Sequence, residues 1–558
     1  MTLVRLLTCF VLACTMARAD APPTRASVID AAFQSAQRAG VTAASRALAQ
    51  SAARIASGTP ELAALLRDRQ DGAERLAALT RDLARIAGTA GAASETEQAR
   101  LARAIDARRA DQRDLDAQIA AAFPEFRELT DPAPLSVAGV QAVLDADEAL
   151  LFTLTDTDFT YVWAISKTAA DWHRADGGTE TRGAQVRQLR AGFSAGDDAR
   201  AGIALKPKAV RPTVAAFPRD VARTLYRDLF APLEHVFADA AHVLSVVDGP
   251  LASLPLGVLP VEPPSGRDDD PQALRDTAWM LRRHALTTLP NVSALKVLRF
   301  ARARAPDPMR ARDPFVGFGD PRLGYRLAMA DAVPVSADAP VVTRGVYENV
   351  TQVADLTPLP NTARELRRLA TVTGAGEDAL FLGDEATETN VKSADLSRTR
   401  IVAFATHGLL ADGLPGLDEP ALVFTPPAVP DATDDALLMA SEAAALKLSA
   451  DLVILSACDT AGSDGTPGAE GLSGLARAFL YAGARAILVS HWPVDDYAAS
   501  VLTTGMLTRM AGDDPRTRAE ALQAASLALI DDTSNPRLAH PRLWAPFVVV
   551  GEGGRDIR

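Results

Sequence analysis

From Pro134 to the C-terminus, short runs of β-branched and aliphatic residues alternate with stretches of helical period, and this alternation restricts the fold more than any other feature. Parallel strands cannot be joined by tight turns; each needs a crossover, usually a helix. Strands alternating with helices therefore imply an α/β architecture with a mostly parallel sheet. Residues 149–165 (ALLFTLTDTDFTYVWAI) read as a hairpin, and a helical stretch near 215–230 leads to a strand at 243–247, closed by Asp248-Gly249-Pro250. Further strands are expected at 314–318, 379–382, 401–405, 421–424, 452–455, 486–489 and 547–550. About 425 residues is more than one such sheet is expected to absorb, so the reading divides the region into 135–312 and 313–558.

Upstream, residues 20–130 are rich in Ala, Arg, Glu, Asp and Gln, with apolar positions at helical spacing, and read as an all-α, coiled-coil-like region. One helix is expected to open at Thr59-Pro60 and end at Gly88 and Gly91; the next opens on a Ser94/Glu97 capping box and carries Leu101, Ile105, Leu115 and Ile119. Together they suggest an antiparallel helical hairpin. The 34-residue period of tetratricopeptide repeats is missing. Binding of a protein partner by this arm and packing against the rest of the chain both stay open.

Residues 1–19 have the make-up of a secretory signal peptide: Arg5, an apolar run from Leu6 to Met16, and the small-x-small site Ala17-Arg18-Ala19. The expected location is periplasmic or secreted after cleavage near Ala19. Val11-Leu12-Ala13-Cys14 also resembles a lipobox, which keeps open a lipoprotein anchored at Cys14. No other apolar run approaches the length of a membrane span, so none is expected in the mature chain. The formal charge is −12, from 58 Lys and Arg against 70 Asp and Glu, and an acidic surplus disfavours a nucleic-acid partner. Cys9 and Cys14 lie in the leader, which leaves Cys458 as the single mature thiol, without a partner for an intramolecular disulfide.

In open parallel sheets the ligand crevice lies beyond the carboxyl ends of the strands. Three buried-type runs end there on groups able to do chemistry: 400–408 on His407-Gly408, 451–458 on Cys458, and 486–496 on an aromatic and acidic loop. If the first two strands are neighbours, His407 and Cys458 share one sheet edge. An imidazole there can take the thiol proton and later protonate a leaving amine, so the pair forms a Cys/His dyad. The backbone N–H groups of Gly408 and Cys458 would supply an oxyanion hole. Each residue alone could instead be a core or capping residue. There is no P-loop, no HExxH, no paired-cysteine zinc pattern, and Gly317-Phe318-Gly319 lacks the third glycine of a dinucleotide site; no metal or organic cofactor is expected.

The strand-His-Gly and strand-Ala-Cys pattern, with His407 51 residues before Cys458, has the spacing of caspase-like peptidases. More closely, LVILSACDTAGSDGTPGAEGLSGLARAFLYAGARAILVSHWPVDD, preceded by ATHG and followed by HPRLWAPFVVVG, resembles the CHAT domain family, caspase-like proteins of the clan of caspases, separase and clostripain. DGPLASLPLGVLP (248–260) and the strand-turn 315–321 match it too, and the resemblance covers about three quarters of the chain, residues 135–555. It implies a caspase-like α/β sandwich, with a degenerate upstream lobe at 135–312 and a catalytic lobe at 313–558. It also implies hydrolysis of protein or peptide substrates by a cysteine endopeptidase through a thioester, without metal or cofactor. By position, the P1 side chain would meet Asp320, Ser456 and the loop from Trp492 to Asp496. Asp320, Asp459, Asp495 and Asp496 would favour a basic P1 residue, unless these aspartates serve only to cap turns. Ser456 stands where caspases carry Gln, so their specificity for aspartate does not transfer. His491 stands where an apolar residue is expected, either as a second imidazole near the site or as strand-end packing. A catalytically silent scaffold or interaction module remains the alternative to a peptidase.

Overall fold

A computed structural model describes residues 24–39, 92–122, 134–193, 216–303, 312–323, 356–409, 419–427, 434–456, 474–512 and 515–554, with isolated positions between 65 and 79 and at 353 and 417. The signal peptide expected at 1–19, with Cys14, and the ends of the helix expected over 59–91 lie outside them. The strands are β1 (Glu148–Thr155), β2 (Phe159–Ser166), β3 (Ala170–Asp176), β4 (His242–Val246), β5 (Ala285–Thr288), β6 (Asp313–Pro321) and β7 (Leu380–Gly383). They continue with β8 (Thr399–Ala405), β9 (Gly408–Leu409), β10 (Ala421–Val423), β11 (Leu437–Met439), β12 (Leu452–Leu455), β13 (Ala486–Ser490) and β14 (Phe547–Gly551). Eleven of them form one sheet in the order β3-β2-β1-β4-β5-β14-β13-β12-β8-β6-β7.

One continuous sheet corrects the premise behind the division at residue 312. The boundary falls in chain order between the helix Val292–Ala303 and β6, yet both parts contribute to the same sheet. The join is β14, which pairs parallel with β5 and antiparallel with β13. Strand direction therefore reverses at that seam: β1, β4, β5 and β14 run one way, and β13, β12, β8, β6 and β7 the other. The expected strand at 421–424 does not enter this sheet; as β10 it sits between β9 and β11 in a separate three-stranded sheet. The hairpin at 149–165 is present, and β3 extends it antiparallel to β2.

The central strands read as unbroken apolar runs because both faces are covered. Leu452 and Ile454 of β12 point into one core with Ala403, Ala405 and Leu488; Val453 and Leu455 point into the other with Val402, Phe404 and Ile487. All four β12 side chains are fully buried, each stabilising the sheet by roughly 1.5–3 kcal/mol relative to exposure.

Helices α1 (Arg25–Ala39) and α2 (Ala92–Ala122) lie in the upstream region, followed in the second half by α3 (Pro360–Thr373), α4 (Glu388–Ser393), α5 (Ala440–Ala445), α6 (Gly474–Ala482), α7 (Asp496–Ala511) and α8 (Arg518–Asp531). α3, α7 and α8 cover the first face through Leu366, Leu502 and Leu522, and α4, α5 and α6 the second through Val391, Ala443 and Phe479. α1 packs on the second face as well: the Phe33 ring meets Phe152 edge-on at 5.6 Å, and Gln37 hydrogen-bonds both the N–H and the carbonyl of Leu135. α2 buries Leu101 and Ile105 as the spacing implies, but it starts at Ala92, so Ser94 lies in its first turn rather than ahead of it.

Candidate functional site

The parallel strands β6, β8, β12 and β13 end at one edge of the sheet, and their register sets the site. Leu452 to Leu455 of β12 lie opposite Ile401 to Phe404 of β8, and the Ser456 N–H extends the ladder to the Phe404 carbonyl at 2.9 Å. His407 follows Phe404 by three residues, as Cys458 follows Leu455 in sequence. Cys458 and Asp459 lie outside the described residues.

His407 is almost fully buried. Its Nε2 stands 2.8 Å from the Thr357 carbonyl oxygen, just ahead of α3. A carbonyl oxygen only accepts, so Nε2 carries a proton, and whenever the ring is neutral its lone pair is on Nδ1. The backbone is held from the other side: the His407 carbonyl accepts from the Val423 N–H at 3.0 Å, and the Thr406 hydroxyl donates to the Val423 carbonyl. Gly408 opens β9, opposite Leu422 of β10. The small sheet thus fixes the chain immediately beyond the imidazole.

Ser456, two residues before the thiol in sequence, is buried, and its hydroxyl donates to Glu365 Oε1 at 2.9 Å. The Thr503 hydroxyl of α7 donates to the same oxygen at 3.0 Å. Glu365 is itself buried on α3, so a carboxylate beneath the edge joins β12 to two helices. One turn earlier on α3, the Thr362 hydroxyl accepts from the Asp320 N–H at 3.0 Å. Asp320, in β6, adopts φ of 51°, a left-handed conformation uncommon for a non-glycine residue. Burial raises its carboxyl pKa, against the lowering effect of Arg367 and Arg322.

The third run serves packing in most of its parts. Trp492 is buried, stacks on Phe193 with centroids 4.0 Å apart, and donates from Nε1 to the Arg542 carbonyl. Asp495 is the N-cap of α7, accepting from the Tyr497 and Ala498 N–H groups; Asp496 begins that helix. The edge therefore gathers Asp320, His407, Gly408 and Ser456 at successive strand ends, while Trp492 turns into the core and Asp495 is spent on a helix. His491 is buried at the end of β13.

Thr357, Thr362, Glu365 and Thr503 carry no motif. Thr357 acts through its backbone, which side-chain patterns do not reveal. Glu365 follows Thr362 by three positions on a helix packed against the sheet, and that spacing is the only trace of it in the sequence. Among the described residues, no group of three or more His, Cys, Asp or Glu could hold a metal ion, and no helix is long and apolar enough to cross a membrane.

A mostly parallel sheet between helical layers, with an imidazole at the carboxyl edge one strand from the run leading to a thiol, defines a caspase-like α/β protein. A family model described as the CHAT domain matches residues 219–552, more than half of the chain, and the chain belongs to that family. Tetratricopeptide repeat protein 28 of Homo sapiens is 23% identical over 373 residues, covering 60% of this chain and 13% of that protein. Its counterpart in Mus musculus is 33% identical over 115 residues, covering 21% and 4%. The chain thus spans a small part of either relative. Among solved structures, the Saccharomyces cerevisiae separase–securin complex matches with a TM-score of 0.38 and 11% identity, over 77% of this chain and 32% of that one. The Arg specific cysteine proteinase gingipain R matches with a TM-score of 0.33 and 10% identity, over 61% and 69%.

Proposed function

We propose that this chain is a cysteine endopeptidase acting on protein or peptide substrates through His407 and Cys458. The observation that carries the reading is the anchoring of His407 Nε2 by the Thr357 carbonyl at the end of β8, beside the parallel strand whose sequence runs on to Cys458. With Nε2 held as donor, Nδ1 takes the thiol proton as Cys458 Sγ attacks the scissile carbonyl carbon. The resulting oxyanion is bound by backbone N–H groups of Gly408 and Cys458. Collapse expels the amine, which leaves with the proton from His407, and a thioester remains. Water then attacks the thioester, giving its proton to His407 and releasing the acid and the thiol. Asp320, at the same edge, is the candidate for P1 recognition, and export directed by residues 1–19 belongs to the same proposal.

The test is cleavage of a mixed-sequence peptide library by the purified chain beside Cys458→Ala and His407→Ala, with cleavage sites read by mass spectrometry. Cleavage by the wild type that both substitutions abolish supports the dyad and reports the P1 preference. Cleavage that survives both refutes it. A folded wild type that cleaves nothing favours the second reading, a silent scaffold, for which the naming of the relatives after their repeats is the one supporting observation.

A further inference from the structure

One short stretch of chain reaches three neighbouring strand ends. The Thr357 carbonyl holds His407 beyond β8, the Thr362 hydroxyl accepts from the Asp320 N–H of β6, and Glu365 accepts from the Ser456 hydroxyl beyond β12. Thr362 is fully buried, and its hydroxyl also donates to the carbonyl of Leu359, the residue just ahead of α3, at 2.7 Å. A single oxygen therefore ties the end of β6 to the segment that fixes the imidazole.

The backbone that Thr362 holds is an unfavourable one. Gly319 lies opposite Ala405 of β8, and the register of β6 on β7 shifts between Gly319 and Pro321, which makes Asp320 the extra residue of a bulge. A bulge re-aims the side chain it carries. The φ of 51° works against any residue with a Cβ, whereas glycine adopts it freely. Aspartates in loops commonly serve by accepting from nearby backbone N–H groups, as Asp495 does at the start of α7. Asp320 does not: among the described residues its carboxylate makes no hydrogen bond or ion pair. The two cations in its field are paired elsewhere, Arg322 with Asp384 and Arg367 with Glu377. Strained backbone persists where its surroundings over-determine it, and it collects at functional sites. Here the constraint comes from Thr362, and what it keeps in place is a half-buried carboxylate with no internal task.

We propose that Thr362 is a positioning residue for P1 recognition: its hydroxyl fixes the Asp320 backbone on the bulge and so sets where the carboxylate meets a substrate side chain relative to His407. This role rests on the proposed peptidase reading, and it places the control of P1 preference in α3 rather than in the strands alone.

The test uses the full chain and the mixed-sequence peptide library, read as the ratio of cleavage after Lys or Arg to cleavage after uncharged residues. Thr362→Val keeps the shape and removes the hydroxyl, and is expected to lower that ratio about threefold to tenfold, the worth of one hydrogen bond. Thr362→Ser keeps the hydroxyl and should stay within about twofold of wild type. Beside Asp320→Asn, Thr362→Val should change the ratio no further, because its effect passes through the carboxylate. A merely structural Thr362 would lower the melting temperature and leave the ratio alone. The positioning role is overturned by an unchanged ratio in Thr362→Val, or by an equal fall beside Asp320→Asn. A wild type that cleaves without preferring Lys or Arg overturns this role and leaves the dyad standing; one that cleaves nothing overturns both. If Thr362→Val does not fold, hydrogen exchange at the wild-type Asp320 amide decides: protection supports the bond, and exchange as fast as in an exposed loop refutes it.

Discussion

Glu365→Leu is expected to destabilise the chain by about 2–4 kcal/mol, through the hydroxyls it leaves behind rather than through lost packing. Leucine nearly matches the carboxylate side chain in volume, so the cavity contribution is small. Ser456 and Thr503, 1% and 0% exposed, both donate to Glu365 Oε1 and would lose that buried acceptor together. Losing a buried acceptor costs a donor about 1–3 kcal/mol, and Thr503 recovers part through the Ala499 carbonyl. Glu365→Gln keeps a carbonyl oxygen for the same hydroxyls and should cost under about 1 kcal/mol. Chemical denaturation monitored by circular dichroism gives the three stabilities. A double-mutant cycle separates the pair: Ser456→Ala should cost about 1 kcal/mol in the wild type and close to nothing beside Glu365→Leu. Glu365→Leu within about 0.5 kcal/mol of wild type, or a Ser456→Ala cost unchanged by it, would refute the shared acceptor.

Asp451, at the start of β12, accepts from Arg312 and Arg400 at 3.2 Å and lies 3.5 Å from Arg485. Burial works to raise its pKa, but Arg312, Arg518, Arg485 and the Arg400 hydrogen bond more than offset it, and the net shift is downward. A depressed folded-state pKa contributes stability that is complete above the ordinary carboxylate range and lost as pH falls through the folded value. Asp451→Ala should therefore cost about 1–2 kcal/mol at pH 7, because Arg485 keeps Glu552 and Arg400 is half exposed to water, and progressively less below pH 4 in denaturation at stepped pH. Gly319→Ala would place a methyl carbon 2.5 Å from the Ala405 carbonyl oxygen and 2.7 Å from Leu366. The β6–β8 pairing two residues before His407 must then open, so a loss of about 1–3 kcal/mol is expected in thermal melts, and, on the proposed function, slower cleavage in peptide assays. A Gly319→Ala protein with wild-type values of both would show that this approach is not needed.

The strands that could be read from sequence are those whose identity is local. Ile401–Ala405 and Leu452–Leu455 are buried on both faces, so every residue is apolar whichever way it points, and the run shows without knowledge of its neighbours. β3, with the sequence ADWHRAD, shows neither an apolar run nor clean alternation, because it is an edge strand only partly covered. β9 and β11, of two and three residues, exist only through pairing with β10, and no propensity can signal elements so short. The same holds at the site. His407 stood out as a histidine closing an apolar run, whereas Glu365 looks like any polar position on an amphipathic helix until α3 is placed against β12.

Taken alone, the sequence determined the class of the fold and the residues able to do chemistry, because hydrophobic period and residue type are properties of neighbours along the chain. Tertiary structure alone decided that the two halves form one sheet reversing direction at β14, that Trp492 turns inward while Asp320 stays at the edge, and that Thr357 sets the tautomer of His407. Those outcomes depend on backbone carbonyls, strand register and contacts between residues far apart in the chain, whose energies arise only once the segments meet.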